Sequence, residues 1–224
     1  MNLLRTILKI TAFASMVFLW MEITSSAQSV TNSDTSNAAA GQTTNQNAVD
    51  IENGKNEFGF WAGGSFHSST KIGTTPDAKF GIFALRYTRV LSSGDSAVLK
   101  YAVDVVPAAV LSFPDSFFAG QRDSVYSAGL TPIGFQVSFR PKKKVQPFAG
   151  AGGGFLYFVD PIPDFRGAQF NFTFDFDGGV QIMTKNHKAV TLGYKFYHVS
   201  NGFRGQINPG FDNNVFYAGF SIFK

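Results

Sequence analysis

A histidine and a serine stand two residues apart in the stretch LGYKFYHVSNG at positions 192–202. If this stretch is a β-strand, His198 and Ser200 share one face with Cα atoms ~6.5–7 Å apart, so an imidazole nitrogen can reach the hydroxyl. The spacing therefore permits a general base next to a serine nucleophile. The same His-x-Ser spacing also arises by chance, so other features of the chain must support it.

Such a pair needs a third group that fixes the imidazole tautomer and stabilises its cation. Asp212 is the candidate, because it follows the loop 201–211, whose Asn-Pro-Gly sequence turns the chain back toward the next strand. Asn201, next to the serine, could donate a hydrogen bond to an oxyanion. Its Asn-Gly dipeptide is equally a plain turn element.

The face that carries His198 and Ser200 is otherwise the most apolar face of the strand. Its other members are Val190, Leu192, Tyr194 and Phe196, whereas the opposite face holds small and polar residues that suit a narrow barrel interior. A polar pair that faces hydrocarbon is costly unless it has partners or a role. The pattern therefore favours chemistry directed at a membrane lipid, with Tyr194 and Phe196 as candidate contacts for its acyl chain.

The rest of the chain predicts an all-β protein, an eight-stranded antiparallel transmembrane β-barrel of the outer-membrane type. Eight segments alternate in polarity and are long enough to cross a bilayer when tilted. They are 55–67, 79–91, 97–111, 130–140, 145–159, 167–184, 188–200 and 213–223. The connections alternate between long and short, as in barrels with short periplasmic turns and longer external loops, which puts His198 and Ser200 at the outer end.

A soluble lipid-carrying barrel of the lipocalin kind would also give eight alternating strands. Its apolar face would point inward, and its outer face would carry many charges. Only 15% of the residues are charged, which favours the membrane barrel.

The amino terminus predicts export. Arg5 and Lys9 precede an apolar run, and small residues at Ser25 and Ala27 suit cleavage, so residues 1–27 are predicted to be a signal peptide. Residues 28–52 are a polar leader that lacks the apolar surface for folding, and 53–224 form the barrel. The predicted location is the outer membrane of a Gram-negative bacterium.

Charge and composition exclude several other classes of function. Without the signal peptide the chain has 17 basic and 14 acidic residues, and no basic stripe interleaved with aromatics, so nucleic acid is not an expected partner. There is no cysteine, and His67 and His187 lie far from any carboxylate pair at ligand spacing, so neither a metal nor another cofactor is expected. The glycine-rich GAGGGF at 150–155 lacks a phosphate-loop ending and indicates close packing inside a barrel.

The segment from Tyr126 to Phe223 resembles the lipid A 3-O-deacylase (PagL-type, acyloxyacyl hydrolase) family of eight-stranded outer-membrane barrels. The resemblance rests on YSAGLTPIGF, PFAGAGGGFLYF, FNFTFDFDGGV and GYKFYHVSNGF followed by NPGFD. It implies Ser200 as nucleophile, His198 as base and Asp212 as orienting acid, where the best-known members have Glu. It also implies a membrane-facing site at the outer leaflet, without metal or organic cofactor.

The sequence thus predicts hydrolysis of an ester-linked, 3-O-type hydroxyacyl chain of lipid A, the membrane anchor of lipopolysaccharide. The alternative is a structural or adhesive small outer-membrane barrel without activity. The acyl position, the chain-length preference and the oligomeric state, including a homodimer, stay open at this point.

Overall fold

The computed structural model describes residues 56–224, which consist of strands, turns and loops. The strands are β1 (Asn56–Ser65), β2 (Ser68–Ser69), β3 (Lys79–Ser93), β4 (Ala97–Pro114), β5 (Arg122–Phe139), β6 (Val145–Ile162), β7 (Ala168–Thr184), β8 (Lys188–Ser200) and β9 (Phe211–Phe223). No helix in this part of the chain is long and apolar enough to cross a membrane. The predicted signal peptide and polar leader lie outside the described residues.

Eight of these strands form a closed antiparallel barrel. Each strand from β3 to β9 pairs with its predecessor in the order β1-β3-β4-β5-β6-β7-β8-β9, and β9 closes the barrel on β1, with Glu57 opposite Phe223 and Gly64 opposite Phe216. The remaining strand, β2, has two residues and pairs only with the start of β9. The prediction of an eight-stranded barrel is confirmed.

The alternation along the strands sorts side chains between the lipid-facing surface and the interior. The large exposed apolar residues of the barrel wall include Phe58, Phe60, Phe83, Leu85, Ile133, Phe135, Phe176, Leu192, Phe216 and Ile222. Such a surface would aggregate in water but matches the hydrocarbon of a bilayer. The predicted direction of the apolar face of β8 is therefore confirmed, since Val190, Leu192 and Tyr194 are exposed while Ala189, Lys195 and Tyr197 are buried.

Ion pairs fill the middle of the barrel. Arg86 donates two hydrogen bonds of 2.7 Å to Asp104, and Lys195 lies between Asp175 and Asp177. The glycines of β6 make room for these carboxylates, because a Cβ on Gly150 would lie 2.3 Å from Asp177 Oδ1. The interior is therefore a packed polar core rather than a channel, as expected for eight strands.

Four connections lie at one end of the barrel, which we call the outer end: loops L1 (66–78), L2 (115–121), L3 (163–167) and L4 (201–210). The opposite end has turns of three to five residues and both ends of the described chain. The largest error among the predicted boundaries is at β5, which begins at Arg122 rather than at 130. A register shift between Val106 and Ala109 lets β4 and β5 stay paired beyond Pro107, so L2 is shorter than predicted.

Candidate active site

The register between β8 and β9 brings the three predicted catalytic residues to the outer end. β9 begins at Phe211, two residues earlier than predicted, and pairs with β8 without a register shift, which places Asp212 directly opposite His198. His198 Nδ1 lies 2.6 Å from Asp212 Oδ1. The structure therefore joins two residues that are 14 positions apart into a buried hydrogen-bonded pair.

Backbone N–H groups of loop L1 also donate hydrogen bonds to the Asp212 carboxylate. The backbone N–H groups of Lys71 and Ile72 donate to Oδ2 at 2.9 and 2.7 Å, and that of Gly73 donates to Oδ1 at 3.0 Å. We call residues 71–73 the L1 nest. The three N–H donors favour an ionised Asp212, and an ionised carboxylate can only accept hydrogen bonds. In the fourth contact His198 Nδ1 must therefore be the donor, so Nδ1 carries the proton.

Strand β2 and a second backbone contact hold the L1 nest in place. Ser68 and Ser69 pair with Asn213 and Asp212, and Thr74 N donates to Pro209 O at 2.6 Å. As a result Asp212 is fully buried although it lies at the end of a barrel. This role of L1 is not visible in the sequence, because backbone N–H groups carry no residue signature.

His198 lies on the lipid-facing side of β8 but is covered by its neighbours and is 5% exposed. Its ring packs on Phe174 with a centroid distance of 4.7 Å, and the backbone of Gly210 lies against the ring edge. Gly210 has a φ of 64°, and a Cβ there would lie 3.1 Å from His198 Cε1. Contacts with the face and with the edge of the ring restrict the orientation of the imidazole.

Ser200 is the last residue of β8 and lies opposite Phe172. It is partly exposed, and its hydroxyl makes no hydrogen bond with the described residues. His198 Nε2 likewise makes no hydrogen bond with the described residues, and the ring is bound through Nδ1 alone. The two groups that would exchange a proton share one face of β8, and neither is engaged elsewhere.

Asn201 is buried and fastens loop L4. Its backbone N–H donates to Asn208 Oδ1 at 2.9 Å, and its Nδ2 donates to Ile207 O at 2.8 Å. These contacts occupy the backbone donor and one of the two side-chain N–H bonds. The structure thus gives Asn201 a loop-fastening role that the sequence did not predict, and its role toward an oxyanion stays a prediction.

Aromatic side chains surround the pair on the lipid-facing surface. Tyr194 donates to Asn214 Oδ1 at 2.6 Å, and Phe196 packs on Phe174, whose ring also contacts His198. Phe172, opposite Ser200, is 45% exposed. Sequence reasoning selected Tyr194 and Phe196 but missed Phe172 and Phe174, which alternate in FNFTF and could have been found by pairing β7 with β8.

Residues 56–224 contain no cluster of three or more His, Cys, Asp or Glu side chains that could hold a metal ion.

Substitution of Gly73 by alanine is expected to lower kcat/KM by about 10- to 100-fold, because loss of carboxylate positioning is typically of this size. A Cβ on Gly73 would lie 2.7 Å from the backbone carbon of Gly210, so L1 must move and withdraw its N–H groups from Asp212. Purified variants would be assayed for ester hydrolysis in detergent, with barrel folding checked by heat-modifiable migration on gels. Gly153→Ala is the matched control, because its Cβ meets only Thr173 O at 3.9 Å. Equal activity of both variants would contradict a positioning role of the nest.

Comparison with known proteins gives one family and several solved structures. The family model for lipid A 3-O-deacylase (PagL) matches residues 95–221, a range that contains His198, Ser200 and Asp212 but not the L1 nest. No curated protein sequence matches the chain.

Three solved structures are similar at low sequence identity. The outer membrane enzyme PagL is 16% identical over 73% of this chain and 98% of its own, with a TM-score of 0.49. Neisserial surface protein A is 15% identical over 75% and 97%, with a TM-score of 0.44. The outer membrane protein OprG from Pseudomonas aeruginosa is 11% identical over 76% and 97%, also with a TM-score of 0.44.

Proposed function

Because this chain belongs to the lipid A 3-O-deacylase (PagL) family, we propose that Ser200, His198 and Asp212 form its catalytic triad. Membership makes the protein an ester hydrolase that acts on lipid A. Lipid A lies in the outer membrane, and the apolar surface of the barrel matches a bilayer, so the protein is an outer-membrane enzyme. The resemblance seen in the sequence is confirmed at the level of the family.

In the proposed reaction Ser200 Oγ attacks the carbonyl carbon of an ester-linked hydroxyacyl chain. His198 Nε2 accepts the hydroxyl proton, and the Asp212 carboxylate stabilises the resulting imidazolium through Nδ1–H. Collapse of the tetrahedral intermediate breaks the bond between the acyl carbon and the sugar oxygen, which takes the proton from His198. Water, activated by the same histidine, then hydrolyses the acyl-enzyme and releases the hydroxy fatty acid.

The observation that carries this proposal is the buried hydrogen bond between His198 and Asp212 on the lipid-facing side of the barrel. An imidazole oriented by a carboxylate is costly to place beside hydrocarbon without a function. Ser200 lies on the same face at the membrane surface, where an acyl chain can approach without leaving the bilayer. Phe172, Phe196 and Tyr194 would contact that chain.

Lipid A is thus the partner of the site, while the other predicted partner, a second copy of this chain, stays a prediction.

The function is tested by mass spectrometry of lipid A from Gram-negative cells that express the protein, beside cells that carry the empty vector. We expect the loss of one hydroxyacyl mass from lipid A only where the protein is present. Purified protein added to lipid A in detergent should release the matching free hydroxy fatty acid. Unchanged lipid A in both assays, with folded protein in the outer membrane, would favour the non-enzymatic structural barrel instead.

A further inference from the structure

Loop L4 places an arginine over the aromatic surface next to the proposed nucleophile. The guanidinium carbon of Arg204 lies 5.2 Å from the ring centroid of Phe170 and 5.9 Å from that of Phe172, the residue opposite Ser200. Both distances are within the range of cation–π attraction, which favours one position of the cation. The charge therefore lies at the boundary between the lipid-facing rings of β7 and the loops.

The backbone of L4 is fixed in a way that directs Arg204 toward these rings. Gly202 and Phe203 both have positive φ, 62° and 61°, and a Cβ on Gly202 would lie 3.2 Å from the Phe172 ring. Further along the loop, the N–H groups of Gln206 and Ile207 donate to the carbonyl of Arg166 in L3 at 2.7 and 3.2 Å. A left-handed conformation at Phe203 is strained, which indicates that the surrounding contacts determine the loop.

The neighbouring arginine in L3 has a carboxylate partner, whereas Arg204 has none among the residues that the structure describes. Arg166 donates to both oxygens of Asp164 at 3.0 and 2.7 Å, and its hydrogen bonds lower the pKa of that carboxyl to about 2. Within residues 56–224, no acidic side chain forms an ion pair with Arg204. An exposed guanidinium without a protein counter-ion can still bind an anion bidentately.

We propose that Arg204 binds the phosphate of a membrane lipid, and in the substrate the phosphate of the lipid A disaccharide, so that the ester carbonyl is brought to Ser200. The role of that phosphate in catalysis rests on the proposed function. Lipid A is a phosphorylated glycolipid whose phosphates lie at the level of the headgroups, directly above the acyl chains. The guanidinium of Arg204 lies on two lipid-facing phenyl rings, one of them opposite Ser200, and is therefore at the level where these phosphates would lie.

The alternative for Arg204 is a purely structural contact that holds L4 on β7. The two roles differ in what they predict for substrates with and without phosphate. A structural contact affects every substrate equally, because it acts through the position of the loop. A phosphate contact affects only the substrate that carries the phosphate, and its loss is worth about tenfold, as for a charge-assisted hydrogen bond.

The test compares diphosphoryl lipid A with fully dephosphorylated lipid A for the native protein, Arg204→Gln and Arg204→Lys. We expect Arg204→Gln to lower kcat/KM about tenfold on the diphosphoryl substrate and little on the other, mainly through KM, with partial recovery in Arg204→Lys. Lys185→Gln removes an exposed cation from the turn at the opposite end of the barrel and should change neither value. An equal loss on both substrates, or no loss on either, would overturn the proposal.

A binding measurement separates this proposal from the failure of the enzymatic one. Native mass spectrometry would count lipids bound to Ser200→Ala and to the double variant Ser200→Ala/Arg204→Gln, with diphosphoryl lipid A, fully dephosphorylated lipid A and phosphatidylglycerol as probes. Weaker retention of diphosphoryl lipid A by the double variant supports the site, even if no deacylation is ever observed. Retention of phosphatidylglycerol that falls in parallel assigns Arg204 to lipid phosphates in general, and equal retention by both variants overturns it.

Discussion

Replacement of Ser200 by alanine is expected to lower kcat/KM for lipid A deacylation by at least about a thousandfold, because no other group can form the acyl-enzyme at this position. Binding of lipid A should persist, since the aromatic surface and the L4 loop are unchanged. The measurement is single-turnover release of the hydroxy fatty acid by purified protein in detergent. In cells the same variant should leave lipid A at its full mass.

The matched control is Ser124→Ala, which removes an exposed hydroxyl at the outer end of β5, three strands from β8. It should retain native activity, so that a loss in Ser200→Ala cannot be ascribed to a general effect of a missing surface hydroxyl. Ser200→Ala with full activity and a correctly folded barrel would exclude Ser200 as the nucleophile. Another nucleophile, such as water activated by His198, would then have to be sought.

The barrel and the side of the wall that carries the chemistry could be predicted from the sequence, because both depend on a period of two. Lipid selects apolar side chains at every second position, and a packed interior selects small and polar ones. His198 and Ser200 follow the apolar series Val190, Leu192, Tyr194 and Phe196 at the same two-residue spacing, so they lie on the same face. The pair is therefore visible as an exception to a pattern that is otherwise strict.

The environment of Asp212 could not be predicted in the same way. The L1 nest is about 140 residues away in sequence and acts through backbone N–H groups, which every residue except proline has. Its position depends on the closure of β9 on β1 and on the pairing of β2 with β9. Within the nest, only Gly73 has a residue type that the contact requires, because its close approach to Gly210 leaves no room for a side chain.

The error in the predicted start of β9 also arises from contacts between residues that are distant in sequence. Sequence places Asn208-Pro-Gly210 as a turn and starts the strand at residue 213, whereas the strand in the structure also includes Phe211 and Asp212. Asp212 and Asn213 are both poor strand formers. In the fold these residues gain partners on both sides, from β8 and from β2, and the pairing outweighs their propensity. Because β9 begins two residues earlier than predicted, Asp212 lies within the strand, directly opposite His198, and not in loop L4.

Substitution of Asp212 by asparagine is expected to lower kcat by roughly 10³- to 10⁴-fold while the barrel stays folded, as for an orienting carboxylate in a serine–histidine–acid triad. Each carboxylate oxygen accepts two hydrogen bonds, Oδ1 from His198 and Gly73 and Oδ2 from Lys71 and Ile72. An amide has one accepting oxygen. If that oxygen faces Lys71 and Ile72, the NH₂ group donates to His198 Nδ1 and forces the proton onto Nε2, which can then no longer accept the proton of Ser200. If the amide turns around, its NH₂ group opposes the two N–H groups of the nest and L1 is displaced.

Both orientations therefore impair the base, and the comparison with Gly73→Ala separates loss of the carboxylate charge from loss of the carboxylate's position. Asp212→Asn should lose much more activity than Gly73→Ala, because the first removes the charge that stabilises the imidazolium and the second only loosens its position. Asp123→Asn, an exposed carboxylate at the outer end of β5, controls for the change in net charge and should be as active as the native protein. Multiple-turnover rates at saturating lipid A give kcat, and heat-modifiable migration reports folding. A loss of only a few-fold in folded Asp212→Asn would mean that His198 acts without an orienting acid, and the nest would then serve to anchor L1 to β9 rather than to support catalysis.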